Sequence, residues 1–367
     1  MNTFFYPLQK LNGFERAKEC LDTGKTCQVT GCADSQLAHF ITGLSDGYKN
    51  KVIVTFSGTK AKELYEDLKA FDKNVVLYPA KDFIFFSADV HGNVILQQRL
   101  ECIKKLVEDK PCTIVTTADG LMDKIMPLDR IKENVLEISE GSIIEMDAIR
   151  HKLVQMGYEG AEQVESPGQF AIRGSIIDIY TLTDEVPYRI DMWDDEVDII
   201  KSFEVETQRS IENLEKITIY PATDYVLTKE EIRAGIDKIK KDLKKNSEAL
   251  RKQFKTEEAH RLEVIIKEFI DNEEINENGM SFDSYVNYFY DGMVSFIDYL
   301  KDAAFFIDEP KRVDEQMKAV ETEFRDSMSN RLEKGYVLPG QTDIVWSRKT
   351  IESKLDSVKK VLFTSLD

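Results

Sequence analysis

The sequence predicts an α/β fold in which a parallel, helix-flanked sheet is accompanied by a separate, smaller α+β domain. Three observations carry this. Short β-rich runs alternate with helical segments up to about residue 125, a turn-rich β block fills 168–208, and a long helical stretch leads to a strand-like "AAFFIDEP" at 303–310.

In the first part, "KVIVTF" (51–56), "NVVLYPA" (74–80) and "CTIVTT" (112–117) have the length and composition of buried parallel strands. Between them Lys60–Phe71 and Val94–Val107 repeat apolar residues at three and four, the helical period. This βαβ series predicts a parallel sheet. From about 126 the pattern changes. "GSIIEMDAIRHKLVQMGY" holds a strand and a short helix. Turn signals at Thr183–Pro187 and Asp194–Asp195 then divide the β block into consecutive antiparallel strands. Residues 126–215 thus read as a small α+β domain. Segment 229–270 has no proline and one glycine, and its charge run predicts a solvated helical face. After "AAFFIDEP" a helix is expected from about Val313 to Lys334. The tail 346–367 reads as a linker or the start of a further region.

A chain of 367 residues suffices for two or three domains. No apolar run reaches the roughly 18–20 residues that cross a bilayer, and the N-terminus lacks a signal-peptide pattern. Five cysteines without a C-x-x-C pair predict free thiols in a reducing cytoplasm, with no disulfide framework or zinc site. The four histidines lack metal-ligand spacing, and His39 reads as a partly buried helix residue. A net charge of −18 argues against autonomous binding to duplex DNA.

"CQVTGCADSQLAHFI" (27–41) has the strand–glycine–helix form of a phosphate-binding loop. Gly31 and Ser35 stand in the loop, but no GK[ST] follows, and Lys25 precedes the glycine. "FFIDEP" is similar to the Mg²⁺-holding strand of such sites, with Asp308 and Glu309 at its end. A parallel sheet brings such halves together at the carboxyl ends of its strands. The expectation is a degenerate P-loop NTPase-like site with no catalytic residue, metal or cofactor. Both half-motifs are common, so a purely structural role is the alternative.

In the β block, a two-residue turn at Asp194-Asp195 places Ile190, Met192, Val197 and Ile199 on a core face. Arg189, Asp191, Trp193, Glu196 and Asp198 fall on the other. Trp and Arg are enriched at interface hot spots, so this face is a candidate binding surface. Replacing Arg189 or Trp193 is expected to leave the core closed. The alternative is that a neighbouring element covers Trp193 while the arginine is merely salt-bridged.

The run "PGQFAIRGSIIDIY", then "PYRIDMWDDEVDIIKSFEVETQRS", then "ITIYPATDY" resembles the bacterial transcription-repair coupling factors, the Mfd family. Departures from the family pattern are Gln169 for a glutamate, Tyr180 for a phenylalanine and Met192-Trp193 for an aromatic pair. Thr207-Gln208-Arg209 favours this family over its relative UvrB. UvrB also keeps a working P-loop, and carries a long aromatic hairpin for which too few residues follow Tyr78.

The resemblance implies a UvrB-like α/β domain in two chain segments, 1–125 (1a) and 216–345 (1b), with 126–215 inserted as a UvrA-interaction domain. It implies that Arg173, Arg189 and Trp193 contact UvrA, with Glu196 a neighbouring member. The implied function is a non-catalytic adaptor that mimics UvrB and recruits UvrA to stalled RNA polymerase in nucleotide excision repair. The parent family is an ATP-dependent DNA translocase. Contacts with RNA polymerase and duplex DNA, and any packing against the motor, would then involve regions beyond this chain, read as an N-terminal fragment, with no membrane role. The rival reading is a UvrB-like helicase fragment with residual ATP and DNA binding.

Overall fold

The structure is a computed structural model and describes residues 5–11, 13–32, 34–81, 90–275 and 283–365. The stretch after Tyr78 in which a UvrB-type hairpin was not expected falls mostly at 82–89, outside the described residues. Among the described residues the strands in chain order are β1 (Cys27–Thr30), β2 (Asn50–Thr55), β3 (Val75–Tyr78), β4 (Cys112–Thr117), β5 (Leu136–Ser139), β6 (Glu159–Gly160) and β7 (Gln169–Arg173). They continue with β8 (Ile176–Ile179), β9 (Tyr188–Trp193), β10 (Glu196–Phe203), β11 (Ser210–Leu214), β12 (Lys216–Ile219), β13 (Ala304–Asp308) and β14 (Lys359–Thr364). The chain divides into two compact units, one of 1–125, 294–327 and 345–367, the other of 126–293 and 328–344.

The first unit is built on a six-stranded sheet in the order β1-β14-β13-β2-β4-β3, with every pairing parallel. Every residue of β4 and β13 is buried, as expected of strands covered on both faces. Ile53, Val115, Phe306 and Phe363 pack with Leu64 and Leu68 of helix Gly58–Lys69 and Leu37 and Ile41 of helix Asp34–Leu44. Ser57 begins helix Gly58–Lys69 by accepting from the Lys60 N–H, relieving one of the unpaired donors of the first turn. Helix Val90–Val107 is fastened by Arg99, whose side chain is fully buried. Its Nη1 donates to Asp123 at 2.5 Å and to the Pro79 carbonyl at 2.9 Å. Burial pushes the Asp123 carboxyl up to about 6 against the pull of Arg99.

The tail, expected as a linker or the start of a further region opening with a helix, instead completes the parallel sheet. Helix Arg348–Asp356 leads into β14, which lies between β1 and β13 with Val361 opposite both Cys27 and Phe306. Val361 and Phe363 are buried. Its partners β1 and β13 are both distant in the chain, β1 by more than 300 residues, so only its short apolar alternation marks it.

The second unit holds a six-stranded sheet in the order β11-β10-β9-β8-β7-β6, antiparallel except for β6 and β7. β5 and β12 form a two-stranded ribbon. The segment 216–345, expected to act as one with 1–125, is divided. Residues 294–327 carry β13 into the parallel sheet, while the helical hairpin groups with 126–228. The cause is apolar matching: Met126, Tyr225 and Leu227 share one cluster with Ile236, Ile239 and Leu243 of helix Lys229–Lys252 and Leu262, Ile266 and Ile270 of helix Thr256–Ile275. Tyr285, Val286 and Phe289 complete the cluster.

The first hairpin helix opens with a capping box, Thr228 and Glu231 bonding reciprocally to each other's backbone. It closes with the Phe254 N–H bonded to the Arg251 carbonyl and the Lys255 N–H to that of Leu250, the Schellman pattern. Phe254 occupies the left-handed position at φ +62°, where glycine is usual, at a cost of about 1–2 kcal/mol.

Gly235 sits mid-helix because Phe289 packs on it: a Cβ there would lie 2.1 Å from the Phe289 ring. Gly235→Ala should therefore destabilise the protein by about 1–3 kcal/mol despite alanine's better helix propensity. Urea unfolding would show this as a lowered midpoint at unchanged slope.

Candidate protein-binding face and nucleotide-like site

The face opposite the β8–β10 core is organised in cross-strand rows, because directly paired residues share a side of the sheet. The first row is Ala171, Asp178, Arg189 and Lys201, the second Arg173, Ile176, Asp191 and Ile199, and the third Trp193 and Glu196. Ile143 joins the third row through a bridge to Glu196. Segment 141–144 runs alongside the start of β10, with the Val197 N–H bonded to the Ser142 carbonyl at 2.9 Å and the Gly141 N–H to that of Val197 at 2.8 Å.

The core side agrees with the expected pleat at Ile190, Met192 and Val197, all buried. Ile199 does not follow it. The register shifts between Val197 and Ile199, so Ile199 faces Asp191 on the outer side and Ile200 takes the core place opposite Ile190. Asp198 is the extra residue of a β-bulge, and one inserted residue inverts the alternation beyond it. The turn itself is as expected, with Asp194 at φ +60°.

Arg189 and Trp193 lie on the same outer face in contrasting surroundings. Trp193 is 78% exposed, and among the described residues no hydrogen bond or ring contact holds its side chain. The Arg189 side chain is only 16% exposed. Its Nε and Nη2 donate to the two Asp178 oxygens at 2.7 and 2.8 Å, a bidentate pair. Nη2 also donates to Gln208 Oε1 at 2.9 Å, and the guanidinium lies 4.4 Å from the centre of the Phe203 ring. The hydrogen bonds to Asp178 hold the Arg189 pKa above its ordinary value despite burial.

The Asp178 carboxylate is wholly buried and also accepts from Arg173 Nη2 at 2.5 Å. Arg173 keeps 41% of its side chain exposed. Thus Arg189 is built into the sheet, and the expectation that its replacement leaves the fold untouched is corrected. The reason is Asp178, which sequence reading overlooked because it stands inside an apolar run, "SIIDIY". Ile143, 67% exposed beside Glu196, was also missed, since its segment gave no register.

In the parallel sheet the two halves of the nucleotide-like motif come together as expected, at the carboxyl ends of β1 and β13 with β14 between them. Each is engaged by the protein's own groups. The Gly31 N–H, at φ +83°, bonds to the Thr364 carbonyl at 2.9 Å. Asp308, nearly buried, accepts from Thr55 Oγ1 at 2.9 Å. Glu309 Oε1 accepts from the Ser365 N–H at 2.6 Å, with its backbone at φ +52°. The side chain of Ser35 lies outside the described part. Among the described residues no group of three or more His, Cys, Asp or Glu could hold a metal ion, and no helix is long and apolar enough to cross a membrane.

Residues 136–225, which contain the whole outer face including Ile143, match the family described as the UvrB interaction domain. The chain therefore carries a segment of the UvrB interaction domain class. It is also a homologue of the transcription-repair-coupling factors. It is 31% identical to that of Bacillus subtilis over 314 residues, 84% of this chain and 26% of the relative. It is 30% identical to that of Staphylococcus epidermidis over 318 residues, 85% of this chain and 27% of the relative. The Staphylococcus aureus protein is 29% identical over 323 residues. The chain spans about a quarter of the length of these relatives.

The contrast between the two outer-face residues is measurable. Arg189→Glu should cost about 3 kcal/mol or more, because it sets a like charge against a buried carboxylate. Trp193→Ala should stay within about 0.5 kcal/mol of the parent. Urea unfolding of both variants checks this, and equal losses would place Trp193 in the core.

Proposed function

We propose that the chain is a non-catalytic adaptor that binds UvrA through the outer face around Trp193 and so links nucleotide excision repair to stalled RNA polymerase. The observation that carries this is the fully presented tryptophan on a UvrB interaction domain: a large exposed aromatic with no partner of its own is the usual centre of a binding hot spot. Glu196 and Ile143 extend the surface beside it, and the exposed part of Arg173 borders it. Arg189 acts as a positioning residue, anchoring the strand that carries Trp193.

Mimicry of UvrB would reside in this face, while RNA polymerase and duplex DNA are met by other parts of the parent protein. The same face is available to pack against a motor in a longer chain. The absence of catalysis rests on the missing lysine after Gly31 and on the engagement of Asp308 and Glu309 by Thr55 and Ser365.

Two measurements test this. Trp193→Ala should weaken UvrA binding by about 2 kcal/mol, roughly thirtyfold, with an unchanged melting curve. Unaltered affinity would move the contact elsewhere. Calorimetric titration with Mg-ATP should give no micromolar binding. A micromolar affinity lost in Asp308→Asn would favour the rival helicase-fragment reading.

A further inference from the structure

Helix Lys229–Lys252 buries one side in its hairpin and turns another to solvent. On the open side Lys241, Lys245, Glu248 and Lys252 recur at spacings of four, three and four, a single stripe, with Lys244 beside it. Together with Ala249 they line a shallow groove along the helix. None of these four lysines has an ion-pair partner among the described residues. Other cations of the same hairpin do: Lys238 with Asp291, Arg251 with Glu263 and Lys255 with Glu333. In a chain with 67 acidic and 49 basic residues, carboxylates are plentiful, yet this stripe is left open.

Phe254 stands at the turn where the stripe ends, 95% exposed and in a left-handed backbone conformation. A bulky aromatic at such a position is strained, and folding gains nothing from a ring in solvent. A glycine would serve the turn better. The ring therefore has a use outside the fold.

We infer that the lysine stripe and Phe254 form a contact site for single-stranded nucleic acid, phosphates following the lysines and a base stacking on the Phe254 ring. From Lys241 to Lys252 the helix rises about 16 Å, enough for a short run of successive phosphates. The aromatic selects a single strand, since only unstacked bases offer a free face. The acidity of the whole chain opposes a broad duplex footprint. It opposes a local contact less, because charges beyond about 8 Å are screened at physiological salt.

The test is fluorescence anisotropy of the 367-residue chain with a short labelled oligodeoxythymidylate, from about 50 mM salt upward. Four phosphate contacts predict a slope of log K against log salt of about −3. Joint Lys241→Glu, Lys245→Glu and Lys252→Glu substitution should reduce affinity at least about tenfold, and arginine at the same positions should preserve it. Phe254→Gly should raise the unfolding midpoint while lowering affinity about fivefold or more, a pairing of effects that a merely structural residue would not show. Salt-independent binding, no loss on charge reversal, or equal affinity for a duplex would overturn the assignment. Polyglutamate that binds more tightly than the oligonucleotide at equal charge, with an affinity unaffected by Phe254→Gly, would also overturn it, assigning the stripe to an acidic protein.

Discussion

Burying a carboxylate strips it of water, and the loss is tolerable only where cations and donors replace the hydration. Asp178 meets this demand at the centre of the outer face, with two bonds from Arg189 and one from Arg173. Those three residues stand on β7, β8 and β9, so satisfying one charge fixes the register of three strands. The network reaches further through Gln208, which accepts from Arg189 and donates to the Val205 carbonyl from a backbone at φ +58°. The connection between β10 and β11 is thereby tied to the same charge. Four residues along β9 from Arg189, Trp193 is held out from a strand that cannot easily slip.

A comparable closure occurs in the parallel sheet. A nucleotide site needs free donors at the loop and free carboxylates at the neighbouring strand. Here the residues at the end of β14 bind to both: the Thr364 carbonyl takes the Gly31 N–H, and the Ser365 N–H takes Glu309. At the carboxyl ends of β1 and β13 the chain's own backbone thus engages groups of both half-motifs. Asp308 bonded to Thr55 completes the set.

What could be read in advance follows from how local the cause is. The strands at 51–56, 74–80, 112–117 and 303–310 were legible because burial on both faces writes itself as a continuous apolar run. The Asp194 turn and the core positions Ile190, Met192 and Val197 were legible from alternation. Beyond Val197 the same logic misplaced Ile199, since a bulge at Asp198 leaves no mark in residue type. β14 was missed because its evidence lies in partners far along the chain. The helical hairpin was legible as helix, but its association with 126–228 runs through Met126, Tyr225 and Leu227, isolated apolar residues with no period to announce it.

The different surroundings of Arg189 and Trp193 bear on how any loss of binding should be interpreted. Both residues belong to types common at interfaces, and alternation puts both on the same face. Only the row they occupy separates them: Arg189 lies opposite the buried Asp178, Trp193 opposite the exposed Glu196. A variant at Arg189 that fails to bind a partner therefore reports on the sheet as well as on the contact, because it releases Asp178, Arg173 and Gln208 at once. A variant at Trp193 changes the surface alone. The tryptophan is the cleaner probe of the proposed interface, and the arginine a probe of the scaffold that presents it.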